Sequence, residues 1–281
     1  MEIDIPARLS ILGHPQRLAV FRLLMRRYPD RVPAGELAEA LGLKASTLSA
    51  YLSALQQHGL VSAERAGTSL RYAIDMAEVQ GMVDYLLIDC CRGRPEICTP
   101  KSLLLTQGTP SMTAPRYKVL FICTGNSARS IFAEALLRKE GGARFEAYSA
   151  GTRPRSELNP FALDVLRQKG HDIASLRAKT IAEFQGEAAP KFDFVFTVCN
   201  QAANEECPAW SGQPISAHWG MPDPVKAEGS EAQKSLAFQQ AYGALQNRIK
   251  AFTALPIDTL DRISLQKAVD EIGRTNTGAS A

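Results

Sequence analysis

The 281-residue sequence predicts two domains of different class. The first is mostly helical, with a helix-turn-helix and a β-hairpin wing; the second is α/β, with a small four-stranded parallel sheet. Three observations predict this. The first hundred or so residues carry apolar positions at helical spacing, punctuated by Gly13, Pro15, Gly42 and Gly59, and then two short alternating runs flank Ala66-Gly-Thr-Ser69. From Tyr117 onward, buried-strand patterns alternate with helical ones, the order that builds a parallel sheet covered on both faces. Between them, residues 99–115 are rich in proline, glycine and hydroxyl side chains and have the composition of a linker. The expected boundaries are 1–98, a linker at 99–115, 116–256, and a C-terminal helix and tail at 257–281.

Composition narrows the class. With 45% hydrophobic and 22% charged residues the chain reads as soluble and globular. It has no apolar run of about 18 residues, and its start, Met1-Glu-Ile-Asp-Ile5, is acidic, so neither a membrane span nor a signal peptide is indicated and the cytoplasm is expected. Six cysteines in that compartment point to catalysis or metal binding rather than structural disulfides. They fall into two trios, Cys90, Cys91, Cys98 and Cys123, Cys199, Cys207. Residues 1–98 balance eleven Lys/Arg against eleven Asp/Glu, so a DNA-binding reading there rests on local placement and not on bulk charge.

In order, residues 3–27 read as two helices, the second beginning near Pro15. Residues 33–42 form a short helix closed by Gly42. In 43–59, Leu48, Leu52 and Leu55 point inward, leaving Ser46, Thr47, Ser49 and Tyr51 outward, where small hydroxyls suit a DNA major groove. The runs 60–65 and 70–74 make the wing, with Arg65 and Arg71 close to the DNA backbone. The competing reading is a helical bundle whose polar face is merely solvated. The stretch Leu12-Gly-His-Pro-Gln-Arg-Leu-Ala-Val-Phe-Arg-Leu-Leu24, the helix at 46–55 and the hairpin resemble the ArsR family of metalloid- and metal-responsive winged-helix repressors, over about residues 5–98. That resemblance implies a homodimer built on residues 3–12 and 76–88, with two recognition helices reading a two-fold operator.

Cys90-Cys-Arg-Gly-Arg-Pro-Glu-Ile-Cys98 follows the expected dimerisation helix. Three thiolates without a nearby histidine suit trigonal-pyramidal arsenite better than a tetrahedral zinc site. Arg92 and Arg94 would favour the thiolate forms, and Gly93 with Pro95 would turn Cys98 back to the pair. Ordinary cysteines, or a Cd(II), Pb(II) or Zn(II) site shared across a dimer, are the alternatives, and antimonite is a second candidate inducer. The pattern resembles those ArsR-family members whose sensing cysteines lie after the last helix, since residues 36–41 contain none.

In the second domain, residues 119–122 have the length of a buried strand and 131–137 the spacing of a packed helix. Between them, Cys123 and Arg129 bracket a C-x5-R loop, Thr124, Gly125, Asn126, Ser127 and Ala128, followed by Ser130. Successive backbone N–H groups at a helix start form a nest for a tetrahedral oxyanion. Arg129 can clamp two of its oxygens. The nest, dipole and guanidinium are expected to lower the Cys123 pKa toward about 3.5–7.5, making it a thiolate nucleophile. The loop resembles the catalytic loop of the low-molecular-weight protein tyrosine phosphatases and of the arsenate reductases built on the same phosphatase-I type fold. Ser149-Ala-Gly-Thr152 and Asp223-Pro224 recur in the order those families have, so the resemblance spans about residues 117–256.

Further strands are expected at 144–148, 192–198 and 214–217, and helices at 160–169 and 231–254. Cys123 and Cys199 each follow a strand directly, so they share the carboxyl rim where ligands bind such sheets. Cys207 lies beyond, on a short helix or loop. The placement suggests a thiol-disulfide cascade, and the resemblance to arsenate reductases supports it: Cys123 attacks arsenate, Asp223 donates a proton, Cys199 displaces arsenite, and Cys207 passes the disulfide to an external dithiol, thioredoxin by resemblance. Asn126, Glu134 and Ser149 match positions that bind potassium in some members, but Lys179 falls near where those members carry an acid. A phosphotyrosine phosphatase is the alternative. It needs Cys123, Arg129 and Asp223, has no use for Cys199 and Cys207, and usually carries tyrosines after Asp-Pro that residues 223–229 lack. A catalytically idle oxyanion or redox sensor is a third reading. The combined expectation is an arsenite-responsive repressor fused to an arsenate reductase, without a tightly bound cofactor or a membrane partner.

Overall fold

The computed structural model describes residues 5–92, 116–186, 189–205, 210 and 212–275, and the chain divides into two units, Met1–Pro110 and Ser111–Ala281. The first contains α1 (Ile5–Leu12), α2 (Pro15–Arg27), β1 (Val32–Pro33), α3 (Ala34–Leu41), α4 (Ala45–Gln57), β2 (Val61–Ala66), β3 (Ser69–Ile74) and α5 (Met76–Tyr85). Local chemistry sets these limits. Pro15 opens α2, where its missing N–H costs nothing, and the His14 ring accepts from the Arg17 N–H as the cap. Gly42, at φ 62°, takes the left-handed turn that closes α3 and starts the helix-turn-helix. Leu48, Leu52 and Leu55, one stripe of α4, are buried in a core shared with Leu23, Leu24 and Leu37. Arg27, 2% exposed, is paired with Glu36 and Asp30 and ties α2 to the start of α3.

The hairpin has a third strand that the pattern did not announce, because Val32–Pro33 is only two residues long; the order is β1-β3-β2. Register also orients the wing. Glu64 pairs with Arg71, and Arg65 with Leu70. Cross-strand partners share a face and neighbours alternate, so Arg65 and Arg71 project from opposite faces. After α5 the helix widens into a π turn, Leu86–Cys90, so Cys90 sits within the helical run instead of after it.

In the second unit the parallel sheet has the order β5-β4-β6-β7: β4 (Tyr117–Cys123), β5 (Phe145–Gly151), β6 (Phe194–Thr197) and β7 (Ile215–His218). The first strand lies inside and the chain departs to either side of it, which creates a switch point at the carboxyl ends of β4 and β6. Helices α6 (Arg129–Glu140), α7 (Pro160–Gln168), α8 (Asn200–Asn204), α9 (Glu231–Thr253) and α10 (Arg262–Arg274) accompany it. β4 and α6 are buried along almost their whole length, matching the continuous apolar run of a strand covered on both faces. Beneath the rim, Phe196 stacks on Trp219 at 4.1 Å between ring centroids, with Phe252 packed edge-on to both. The C-terminal helix α10 joins this core through Leu265, Val269 and Ile272. Its Val269 carbonyl accepts from the Trp219 indole N–H at 3.0 Å.

Candidate functional site

Cys123 ends β4, and α6 begins at Arg129, so the five residues between must turn tightly. The segment that leaves β5 holds the turn in shape. The carbonyls of Cys123, Thr124, Gly125 and Ser127 accept from the N–H groups of Thr152, Arg153, Arg155 and Asn159 at 2.9–3.1 Å. With its carbonyls drawn outward, the loop presents its N–H edge toward the sulfur, and the Asn126 N–H donates to Cys123 Sγ at 3.1 Å. Asn126 adopts φ 42° to allow this. The fit leaves no room at the end of β5: a Cβ on Gly151 would lie 2.7 Å from the Thr124 carbonyl oxygen. The resemblance marked Ser149-Ala-Gly-Thr152; close backbone approach is the reason for its glycine.

Cys123 is 3% exposed, and Ser130 Oγ lies 2.9 Å from its sulfur. Cys199 is buried beside it at the end of the neighbouring strand, where it caps α8, accepts from the Ala202 N–H and meets Thr124 Oγ1 at 3.4 Å. The structure thus brings together the two thiols that the strand-end pattern placed on one rim. It reverses one expectation. Burial pushes the Cys123 thiol above its ordinary value, and Cys199 pushes the same way, outweighing the Ser130 hydroxyl and the Arg129 charge that pull it down. The sequence announced the nest and the arginine; it did not announce that the sulfur would be fully enclosed, or that Arg129 would itself be engaged. The guanidinium Nη2 lies 2.8 Å from Asp223 Oδ2, and Nη1 donates to the Met221 carbonyl at 3.3 Å. That carbonyl belongs to a loop fastened from behind by buried Arg248, which donates to the Trp219, Gly220 and Gly273 carbonyls.

The segment 118–267, more than half of the chain, matches the family described as low molecular weight phosphotyrosine protein phosphatase. The chain belongs to that family. Residues 12–62 match a family described as a helix-turn-helix domain. Proteins named arsenate reductase from Halalkalibacterium halodurans and Oceanobacillus iheyensis are each 37% identical over 134 residues, covering 48% of this chain and 93% of those proteins. A crystal structure of an arsenate reductase from Archaeoglobus fulgidus aligns with 49% of this chain and 99% of its own at 23% identity, with a TM-score of 0.41.

Within the phosphatase-family unit, the polar residues behind the loop form one connected set. Asn126 Nδ2 donates to Ser130 and Ser149 at 2.8 Å, Ser149 donates to Glu134 at 2.5 Å, and Lys179 Nζ lies 2.9 Å from the same Glu134 oxygen. Asn126, Glu134 and Ser149 do not fit potassium in this chain, because the Lys179 ammonium already meets the Glu134 carboxylate. Sequence reading also missed Arg155, whose exposed side chain lies over Gly125 within 3.7 Å of where a Cβ would stand. Its only signal was its basic character in a run otherwise read as connection. Cys207 lies outside the described residues.

On α4, Ser46 and Ser49 are exposed, as outward placement requires, while Thr47 is half-buried. Tyr51 is half-buried. Its O–H donates to Gln16 at 2.6 Å and its ring packs against His14, because helical rotation carries it over the start of α2. Arg65 and Arg71 are both exposed. Cys90 is exposed and Cys91 half-buried at the end of the π turn. Cys98 and Arg94 lie outside the described residues, and among the described residues no cluster of three potential metal ligands occurs. No described helix is long and apolar enough to cross a membrane.

Proposed function

We infer that this protein couples an arsenite-responsive DNA-binding repressor to an arsenate reductase. The observation that carries the second half is Cys199: a second buried thiol at the end of the strand beside Cys123, which dephosphorylation does not use and a dithiol reduction requires. Relatives named arsenate reductase, at 37% identity, support the same substrate. In this reading arsenate enters the loop, and Arg129 exchanges Asp223 for two arsenate oxygens. Released from the guanidinium, the Asp223 carboxylate takes up the proton that the Cys123 thiol gives up and passes it to an arsenate hydroxyl, which departs as water while the Cys123 sulfur bonds to arsenic. Cys199 then attacks the Cys123 sulfur. The S–As bond breaks with its electron pair left on arsenic, so As(V) becomes As(III) and two thiols become the Cys123–Cys199 disulfide. Cys207 attacks Cys199, restoring Cys123 and leaving a Cys199–Cys207 disulfide for an external dithiol, for which thioredoxin is the proposed donor.

For the first half, the helix-turn-helix and exposed Ser46, Ser49 and Arg65 support operator binding. Leu9, Val83, Tyr85 and Ile88 are all more than 40% exposed on α1, α5 and the π turn, an apolar surface that supports a homodimer through these elements. Arg8 stiffens that face by joining α1 to Glu78 of α5. Cys90 and Cys91, with Cys98, are the proposed arsenite ligands; soft sulfur donors suit As(III).

The decisive assay follows arsenate-dependent NADPH oxidation with thioredoxin and thioredoxin reductase, in wild type and in Cys123→Ser, Cys199→Ser and Cys207→Ser. Loss of turnover in all three supports the cascade. Hydrolysis of an aryl phosphate requiring Cys123 alone, without arsenate turnover, would make the unit a phosphatase, and unchanged turnover in Cys123→Ser would leave it an idle sensor.

A further inference from the structure

Lys179 is a lysine where lysines are rarely found: it is 8% exposed, and its ammonium meets Glu134, which is 1% exposed. Glu134 is held on its other oxygen by Arg138, and the Arg177 carbonyl accepts from Lys179 Nζ at 3.1 Å. The directions of the hydrogen bonds among Lys179, Asn126, Ser149 and Glu134 are forced. The Lys179 backbone N–H can only donate, so the atom it meets at 2.7 Å is the Asn126 oxygen, and the Asn126 amide nitrogen must therefore give its two protons to Ser130 and Ser149. Each serine, having accepted, has one proton left. That of Ser149 goes to the Glu134 carboxylate, and that of Ser130 serves Cys123 Sγ, 2.9 Å away, when the sulfur is a thiolate and can only accept. A proton donated to sulfur favours the thiolate. The backbone and side chain of one residue thus hold both ends of the arrangement that aims a donor at the nucleophile.

We propose that Lys179 is a positioning residue for Cys123: its ammonium supplies, from within the chain, the single positive charge that a monovalent cation would otherwise bring to Glu134, and so keeps Ser149, Asn126 and Ser130 in the donor order that ends on the sulfur. The inference rests on Cys123 being the nucleophile proposed above, but not on arsenate being the substrate. A neutral residue at 179 leaves the Glu134 oxygen that Ser149 meets without its cation, only Arg138 remaining on the other oxygen, and Ser149 and Asn126 then reorient to compensate. The vacated space accepts a potassium ion, which presents the same charge to Glu134.

The test is the rate at which iodoacetamide alkylates Cys123 near neutral pH, followed by peptide mass mapping in the full-length protein. In Lys179→Met this rate is expected to fall about tenfold, the equivalent of one unit in thiol pKa. Potassium chloride at about 100 mM restores it to within about threefold of wild type, whereas tetramethylammonium chloride at the same ionic strength, which screens equally but is too large for the site, does not. Wild type and Lys179→Arg, which keep a charge in place, respond to neither salt. A folded Lys179→Met that alkylates at the wild-type rate overturns the proposal, and so does a slowed rate that potassium leaves unchanged. Should Lys179→Met not fold, the pair Glu134→Gln with Lys179→Met leaves no buried charge behind. It is expected to alkylate slowly and to ignore potassium; a wild-type rate in that pair also overturns the proposal. Failure of arsenate turnover with these alkylation results intact would count against the substrate and not against Lys179.

Discussion

Asp223 holds Arg129: carboxylate Oδ2 and guanidinium Nη2 are 2.8 Å apart at the mouth of the loop. The pair joins the group expected to bind the oxyanion to the group expected to protonate its leaving oxygen, so the two cannot act until they separate. Asp223→Asn removes the acid and also removes a competitor for Arg129. Turnover of arsenate should fall about 10²–10⁴-fold, the usual contribution of a general acid. Competitive inhibition by phosphate should hold or tighten, since Arg129 is no longer held back. Steady-state kinetics with a phosphate titration separates the two effects, and weakened phosphate inhibition would mean that Asp223 chiefly orients the arginine.

Cys199 raises the pKa of Cys123. The thiolate is the charged form, so removing a group that disfavours it makes more thiolate at a given pH. In Cys199→Ser, the pH midpoint for Cys123 alkylation should therefore move down while catalytic reduction of arsenate is lost. An unchanged midpoint would show that Cys199 does not contribute to the Cys123 pKa.

Asp270 on α10 has its pKa pushed up to about 6, by burial first, against the pull of Gln266 and Arg274. A folded-state pKa above the unfolded value of 3.8 favours the protonated carboxyl, so its contribution is fully present below about pH 4 and is lost as pH rises through about 6. Asp270→Asn keeps the neutral shape at every pH. Because the group is partly solvated, the gain should be modest, roughly 2–4 °C in melting temperature at neutral pH and nothing near pH 4. Thermal melts at the two pH values check the sign.

Tyr51 and Arg65 separate packing from recognition in the first unit. Tyr51→Phe loses the bond to Gln16 and should cost about 1 kcal/mol of stability without altering operator preference. Arg65→Ala should weaken specific and non-specific DNA binding alike and reduce the salt dependence by about one ion. Fluorescence anisotropy across a salt series measures both, and a changed operator preference in Tyr51→Phe would make that residue a DNA contact.

Much of this molecule could be read without coordinates. Apolar spacing located the helices at Pro15–Arg27, Ala34–Leu41, Ala45–Gln57, Arg129–Glu140, Pro160–Gln168 and Glu231–Thr253, the alternation after Tyr117 announced the parallel sheet, and Cys123 with Arg129 marked the loop, because helix period, strand length and a C-x5-R spacing are local properties that a linear chain carries in full. Two-residue β1 escaped because it is too short to have a pattern, and the bond of Tyr51 to Gln16 escaped because it joins two helices far apart in the chain. What only the tertiary structure decided is which distant side chains meet. Asp223 on Arg129, Cys199 against Thr124, and Lys179 on Glu134 are separated by tens of residues, and their encounters depend on strand order and complete burial. Burial is also why the Cys123 thiol is raised where spacing alone said lowered: a thiolate's cost depends on how much water the whole fold removes, and no local pattern records that.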